Sequence, residues 1–205
     1  MTRNVLIIVV LLAVWRVTMA AEGVAGAVAP SGETGFVSIF DGKTLDGWCG
    51  ATTGYVAEAG SLICQKKGGG NLRTVKEYKD FAFRFEFRFE PGGNNGVSIR
   101  GQEIQILDDY APKHKSLKPC QYHGSIYCKV PAKRGSTKPA GEWNTEEIFV
   151  QGNHWKVTVN DQVIVDVDVA TVQGLEELAK RTKGTVGFLG HGALVEFRNL
   201  RIKEL

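Results

Sequence analysis

Strict alternation of apolar and polar side chains runs through much of this chain and predicts strands rather than helices. The clearest run covers residues 81–90, where Phe81, Phe83, Phe85, Phe87 and Phe89 fall on one face and Ala82, Arg84, Glu86, Arg88 and Glu90 on the other. Five aromatic rings in register need a core to cover, because the same stripe on an exposed edge would drive aggregation. Shorter runs predict strands at 36–40, 61–64, 125–129, 147–150, 154–159, 163–167, 185–189 and 194–203. Turn residues such as Asn160-Asp161 separate them, as in antiparallel sheets. One short helix is expected over 173–180, where Leu175, Leu178 and Ala179 make a small apolar stripe. The pattern therefore predicts an all-β antiparallel sandwich.

A second stretch, 96–109, reads as a hairpin with one apolar and one polar face. Val97, Ile99, Ile104 and Ile106 fall on the first, and Ser98, Arg100, Glu103 and Gln105 on the second. A two-residue turn at Gly101-Gln102 would set Arg100 opposite Glu103 and Ser98 opposite Gln105. Long irregular segments at 109–121 and 131–142 would lie above such a sheet, where loops commonly carry function.

Composition narrows the setting. Residues 1–21 read as a secretory signal peptide: Arg3 supplies the positive start, 5–15 the apolar stretch and Thr18-Met19-Ala20 a small-residue cleavage context. The apolar stretch is short for a membrane span. Residues 22–34 read as a flexible leader and 35–205 as one domain, exported to the periplasm or outside the cell. The chain has 25 basic and 22 acidic residues, and its first twenty hold two arginines and no acid, so the mature charge is near +1. Nothing in that balance favours nucleic acid or an anionic membrane. In an exported chain Cys49 with Cys64 and Cys120 with Cys128 would close the shortest disulfide loops, although the other pairings stay open. No repeat, phosphate-binding loop, dinucleotide fingerprint or Gly-x-Ser-x-Gly elbow occurs.

Several segments, taken in order, resemble one family. They are Phe40-Asp41-Gly42-Lys43-Thr44-Leu45-Asp46-Gly47-Trp48, Asn94-Asn95-Gly96 through Arg100, Glu103-Ile104-Gln105-Ile106-Leu107-Asp108, Gly141-Glu142-Trp143-Asn144, Val159-Asn160-Asp161, and the closing 187–205 with His191-Gly192 and Phe197-Arg198-Asn199. Together they resemble the 3-keto-disaccharide hydrolase family, whose fold is similar to the concanavalin A-like jelly roll of laminarinases and legume lectins. The resemblance implies an enzyme acting on glycosides whose sugar is oxidised to a ketone at carbon 3, fed by an upstream sugar 3-oxidase. Leu189 stands where the family often has Gln, and His123 where a small residue is common, so the fine shape of the pocket is this chain's own.

A ketone at carbon 3 acidifies the hydrogen on carbon 2 and places the glycosidic oxygen where it can be eliminated. Hydration of the resulting 3-keto-glycal then completes a net hydrolysis. That route needs a base, a group for the enolate oxygen and a proton donor for the leaving group. Arg100 is the candidate for the oxygen, being permanently charged. Glu103, facing Arg100, suits a base or a metal ligand, and His191 in its Gly-His-Gly turn is the preferred acid or base because imidazole titrates near neutrality. Asn95, Gln105, Tyr127 and Asn144 are candidate sugar partners, with Trp143 or Trp48 as a stacking platform. A divalent metal on Glu103, Asp108 and His191 is a further option, without a contiguous motif behind it. Two other readings stay open. One is a non-catalytic, lectin-like binding module. The other is a laminarinase-like retaining glycosidase using Glu103-x-Gln105-x-x-Asp108, although that mechanism needs two carboxylates and the middle position is Gln.

Overall fold

A computed structural model describes residues 33–205. The expected signal peptide, and most of the expected leader, lie outside the described residues. Glu33, at the leader's end, is fastened to the domain: its carboxylate takes two bonds from Arg201 and lies 3.0 Å from Arg84.

Two antiparallel sheets face each other. With strands numbered along the chain, the larger sheet runs β11 (Gln162–Asp168), β10 (His154–Val159), β9 (Asn144–Gln151), β6 (Phe81–Phe89), β13 (Val195–Glu204), β4 (Ser61–Cys64) and β3 (Tyr55–Glu58), with β1 (Val37–Ser38) also paired to β13. The smaller runs β2 (Trp48–Gly50), β5 (Gly69–Thr74), β12 (Val186–His191), β7 (Asn94–Ile99) and β8 (Gln102–Leu107). The five phenylalanines of β6 are all buried as the alternation requires. They meet the other sheet through Phe188 of β12, whose ring stacks on Phe197 at 4.0 Å and meets Phe85 edge-on at 6.2 Å. Burying rings of this size contributes about 1.5–3 kcal/mol each, which makes this seam the main glue between the sheets.

Some expectations change. The helix shrinks to α1 (Glu176–Ala179), with Leu175 and Leu178 buried beneath it. The segment at 125–129 forms only single bridges, Ile126 pairing with Ile104 and Val130, because Cys128 turns the chain at φ 56°. Strand β5 escapes a hydrophobic reading because it begins with glycines. Gly69 is needed there, since a Cβ on it would come within 2.7 Å of the Gly190 backbone of β12, as a Cβ on Gly190 would come within 2.3 Å of the Gly69 Cα. No disulfide joins the four cysteines in this structure. Cys64 points into the core whereas Cys49 pairs with Arg73 in the other sheet, so the expected Cys49–Cys64 bridge is absent. Cys120 and Cys128 are neighbours, the Cys128 amide donating to the Cys120 carbonyl at 2.8 Å.

Candidate active site

The hairpin β7–β8 turns one residue earlier than its hydrophobic pattern implies. Ile99 pairs with Gln102, Ser98 with Glu103, Val97 with Ile104 and Gly96 with Gln105, so the turn residues are Arg100 and Gly101. Both have positive φ, 50° and 85°, the left-handed conformation that a two-residue hairpin turn of matching twist demands. This register differs from the expected one by two pairing positions, which leaves the side chains that stay within the strands on their faces but moves Arg100 out of the strand into the turn.

That shift removes Arg100 from the polar face. Its side chain turns beneath the hairpin, 3% exposed as a residue, where Nη1 donates to the carbonyls of Gly152 (3.0 Å) and Arg181 (2.9 Å) and Nη2 to that of Lys79, with Asp80 3.7 Å away. Burial pushes its pKa down from the usual arginine value, with Asp80 opposing. Arg100 ties three backbone segments together and does not face Glu103.

The outer face of the small sheet nevertheless carries a constellation. Glu103 leans across Gly96 to meet His191, Oε1 to Nε2 at 3.2 Å, although 88 residues separate the two in sequence. Gly96 makes this contact feasible, since a Cβ there would lie 2.5 Å from Oε1 of Glu103. The carboxylate side chain is 18% exposed and the imidazole 41%, so both are reachable from solvent. Tyr127 lies beside them, its amide donating to the Glu103 carbonyl at 2.9 Å and its hydroxyl accepting from Gln121 Nε2 at 3.1 Å. Gln105 is buried on the same face with an unpartnered side-chain oxygen, an acceptor free for a hydroxyl.

Sequence reasoning missed two side chains here, Asn71 and Arg73 of β5. Both are exposed, and the register places them on this face: Arg73 pairs with Gly187, Gly187 with Ser98 and Ser98 with Glu103. Their alternation with the buried Leu72 and Thr74 was the available signal, masked by the preceding glycines.

The remaining candidates lie elsewhere. Asn95 is fully buried on the core side of β7, its Oδ1 accepting from the Gly96 amide, close to Tyr55 and Cys64. Asn144 is also buried and acts as a loop staple, accepting from Lys138 N and Asn160 Nδ2 and donating to the Glu142 carbonyl. Trp143 stacks with the guanidinium groups of Arg88 and Arg198, which belong to the other sheet. Trp48 is buried against Phe188 with its indole N–H given to the Ile39 carbonyl. Asp108 accepts from the Gly92 amide at 2.7 Å, and among the described residues no three His, Cys, Asp or Glu side chains converge as a ligand set, so Glu103, Asp108 and His191 do not form one. A recess of about 280 Å³ on the large sheet is lined by Glu33, Arg84, Glu86, Glu147 and Arg201, whose charges are engaged with one another or with neighbours on that face.

Residues 35–203 match the profile of the 3-keto-alpha-glucoside-1,2-lyase-like domain. The chain belongs to that family. It is 27% identical to the 3-keto-disaccharide hydrolase of Bacteroides thetaiotaomicron across 86% of this chain and 80% of that protein. A Parabacteroides distasonis protein assigned by name to the glycosyl hydrolases is similar in structure, with a TM-score of 0.74 at 26% identity over 83% of this chain and 99% of that one. The carbohydrate-binding module CBM66 of Bacillus subtilis shares the fold at TM-score 0.53 and 10% identity, covering 77% of this chain and 96% of the module. The fold is thus a concanavalin A-like jelly roll.

Proposed function

We propose that this protein cleaves glycosides bearing a ketone at carbon 3, by elimination across carbons 1 and 2 followed by hydration of the 3-keto-glycal. The observation that carries this reading is the Glu103–His191 contact on the exposed face of the small sheet, within a chain of this family. The contact supplies what elimination asks of a protein: a base within reach of the hydrogen on carbon 2, and an acid to protonate the departing oxygen. At 3.2 Å the carboxylate and the imidazole are within hydrogen-bond reach of each other, so the two can divide the base and acid roles between them. Gln105 and Tyr127, both flanking Glu103, are placed to bond sugar hydroxyls. Among the described residues, the paired strands β5, β12, β7 and β8 put no second carboxylate beside Glu103 on this face, which weighs against ordinary retaining hydrolysis. The signal-like first residues support export of the enzyme, and a substrate with a ketone at carbon 3 calls for an upstream sugar 3-oxidase.

The test is incubation of purified protein with a 3-keto-disaccharide and, separately, with its unoxidised parent, in deuterated water. Cleavage of the keto sugar alone, with deuterium appearing at carbon 2, is expected. Cleavage of the parent at an equal rate overturns the reading, and binding without cleavage of either makes the protein a carbohydrate-binding module. Prior dialysis against a chelator leaves turnover intact in this mechanism. A loss restored by a divalent ion would instead make Glu103 and His191 metal ligands.

A further inference from the structure

Removal of the proton from carbon 2 leaves negative charge on the ketone oxygen, and Arg100, spent on backbone carbonyls beneath the hairpin, is not there to receive it. We propose that Arg73 is the group that binds this oxygen and stabilises the enolate, and that it thereby distinguishes a 3-keto sugar from its unoxidised parent. The inference rests on the reading of the site given above and adds to it a residue from a strand that sequence reasoning overlooked.

Three observations converge on Arg73. First, it is the only arginine among the described residues without a hydrogen bond or ion pair. Arg84, Arg88, Arg134, Arg198 and Arg201 all bond carboxylates, and Arg100 and Arg181 bond carbonyls. An exposed guanidinium left free on a face that also carries an acid–imidazole pair is a donor set awaiting an oxygen. Second, the register fixes its distance from Glu103. The row Arg73, Gly187, Ser98, Glu103 crosses three strand spacings, about 14 Å between the outer Cα atoms. Third, the floor between them is cleared of bulk. Gly187 cannot carry a side chain, since a Cβ would come within 2.3 Å of the Leu72 carbonyl oxygen, and Ser98 is small and buried. The Arg73 guanidinium rests beside Gly50 of β2, where a Cβ would lie 3.2 Å from Nη1, and this long side chain can swing inward over the cleared floor, where about 14 Å between the outer backbones leaves room for one pyranose ring.

The electrons balance without an external oxidant or reductant. The C2–H bond breaks and its proton passes to the Glu103–His191 pair, while the bonding electrons form C2=C3 and place charge on the carbon 3 oxygen, facing Arg73. As the carbonyl re-forms, C1=C2 is made and the C1–O bond breaks, the departing oxygen taking a proton. Water then adds across C1=C2, hydroxyl at carbon 1 and hydrogen at carbon 2.

The experiment compares the full-length protein with its Arg73→Ala and Arg73→Lys variants on a 3-keto-disaccharide. It also measures inhibition of each by a non-cleavable 3-keto sugar and by its parent sugar. Arg73→Ala should lose about 10²-fold or more in kcat/KM, as when an oxyanion donor is removed. It should lose the preference for the keto inhibitor, recover part of its rate in guanidinium ion at non-denaturing concentration, and melt at the wild-type temperature. Arg73→Lys should retain an intermediate rate. If the wild type cleaves the keto sugar and Arg73→Ala keeps both its rate and its inhibitor preference, Arg73 has no such role while the functional reading survives. If the wild type leaves the keto sugar intact, the functional reading itself falls and takes the role of Arg73 with it.

Discussion

On the outer face of the large sheet Arg84 bonds Glu147 and Glu33, Arg88 bonds Glu196, Arg198 bonds Glu86, and Trp143 lies against two of these guanidinium groups. On the outer face of the small sheet, among the described residues, Arg73 has no partner, Gln105 has a buried acceptor oxygen without a donor, and Glu103 meets the His191 imidazole. Both faces come from strands alternating apolar and polar residues, and both use arginine and glutamate. The difference lies in closure. Charges that satisfy one another ask nothing of a ligand, whereas donors and acceptors left over, set above small residues, are available to one. Abundance of charge is therefore a poor guide to a site, and unspent hydrogen-bonding capacity is a better one.

The largest expected effect tests the small-sheet face directly. Glu103→Gln and His191→Asn should each lower kcat by about 10²- to 10⁴-fold, as for loss of a general acid or base, with folding unchanged by circular dichroism. Retained turnover in both would end the distinction drawn between the faces. Arg100→Met should do the opposite, since it strands buried carbonyls: a loss of about 3 kcal/mol is expected, seen as a melting temperature lower by roughly 10 °C, with near-normal turnover per folded molecule. Gly96→Ala sharpens the geometry, because its methyl occupies the space of the Glu103 carboxylate. A fall of about 10- to 100-fold in kcat/KM should follow from displacing that group.

A smaller effect concerns the core. Glu146 of β9 is buried 3.4 Å from His123, whose Nδ1 accepts from the Leu107 amide and whose ring stacks on Phe87. Burial raises the Glu146 pKa, against the pull of His123. The fold therefore holds this proton more tightly than the unfolded chain does, so stability is full below the ordinary carboxylate range and declines as pH rises through the raised value. Glu146→Gln should remove that decline, a gain of a few degrees, on the order of 2–4 °C, in melting temperature at pH 8 relative to pH 4.5. An unchanged slope of melting temperature against pH would show that Glu146 is ionised in the fold. The smallest change belongs to the large sheet, where Glu147→Gln should cost under about 1 kcal/mol and leave turnover intact. Any marked loss of turnover there would mean that the paired face also takes part in the chemistry.

How much of this was legible beforehand differs between fold and site. Strands β4 and β10 begin and end where their residue patterns place them, and β6 within a residue, because alternation is a local property. Gln105, Tyr127, Glu103 and His191 lie together or in adjoining segments, yet Arg100, Asn95, Asn144, Trp143, Trp48 and Asp108 were drawn from the same motifs and serve packing, turns or loops. Nothing in a polar residue's identity tells whether its bonds close on the protein. Arg73 and Asn71 were masked for a different reason: their alternation with Leu72 and Thr74 follows glycines that disguise the strand and that allow its close approach to Gly190.

What the chain's sequence determined alone is which side chains share a face, since the two-residue repeat of a strand leaves no choice once the apolar set must be buried. Tertiary structure decided the rest. A two-position change of register costs no exposed hydrophobic residue, so turn geometry at Arg100 and Gly101 selected it. Only the pairing of β12 with β7, and of β7 with β8, carries His191 across to Glu103, because contacts between distant segments depend on strand order, which no local pattern encodes.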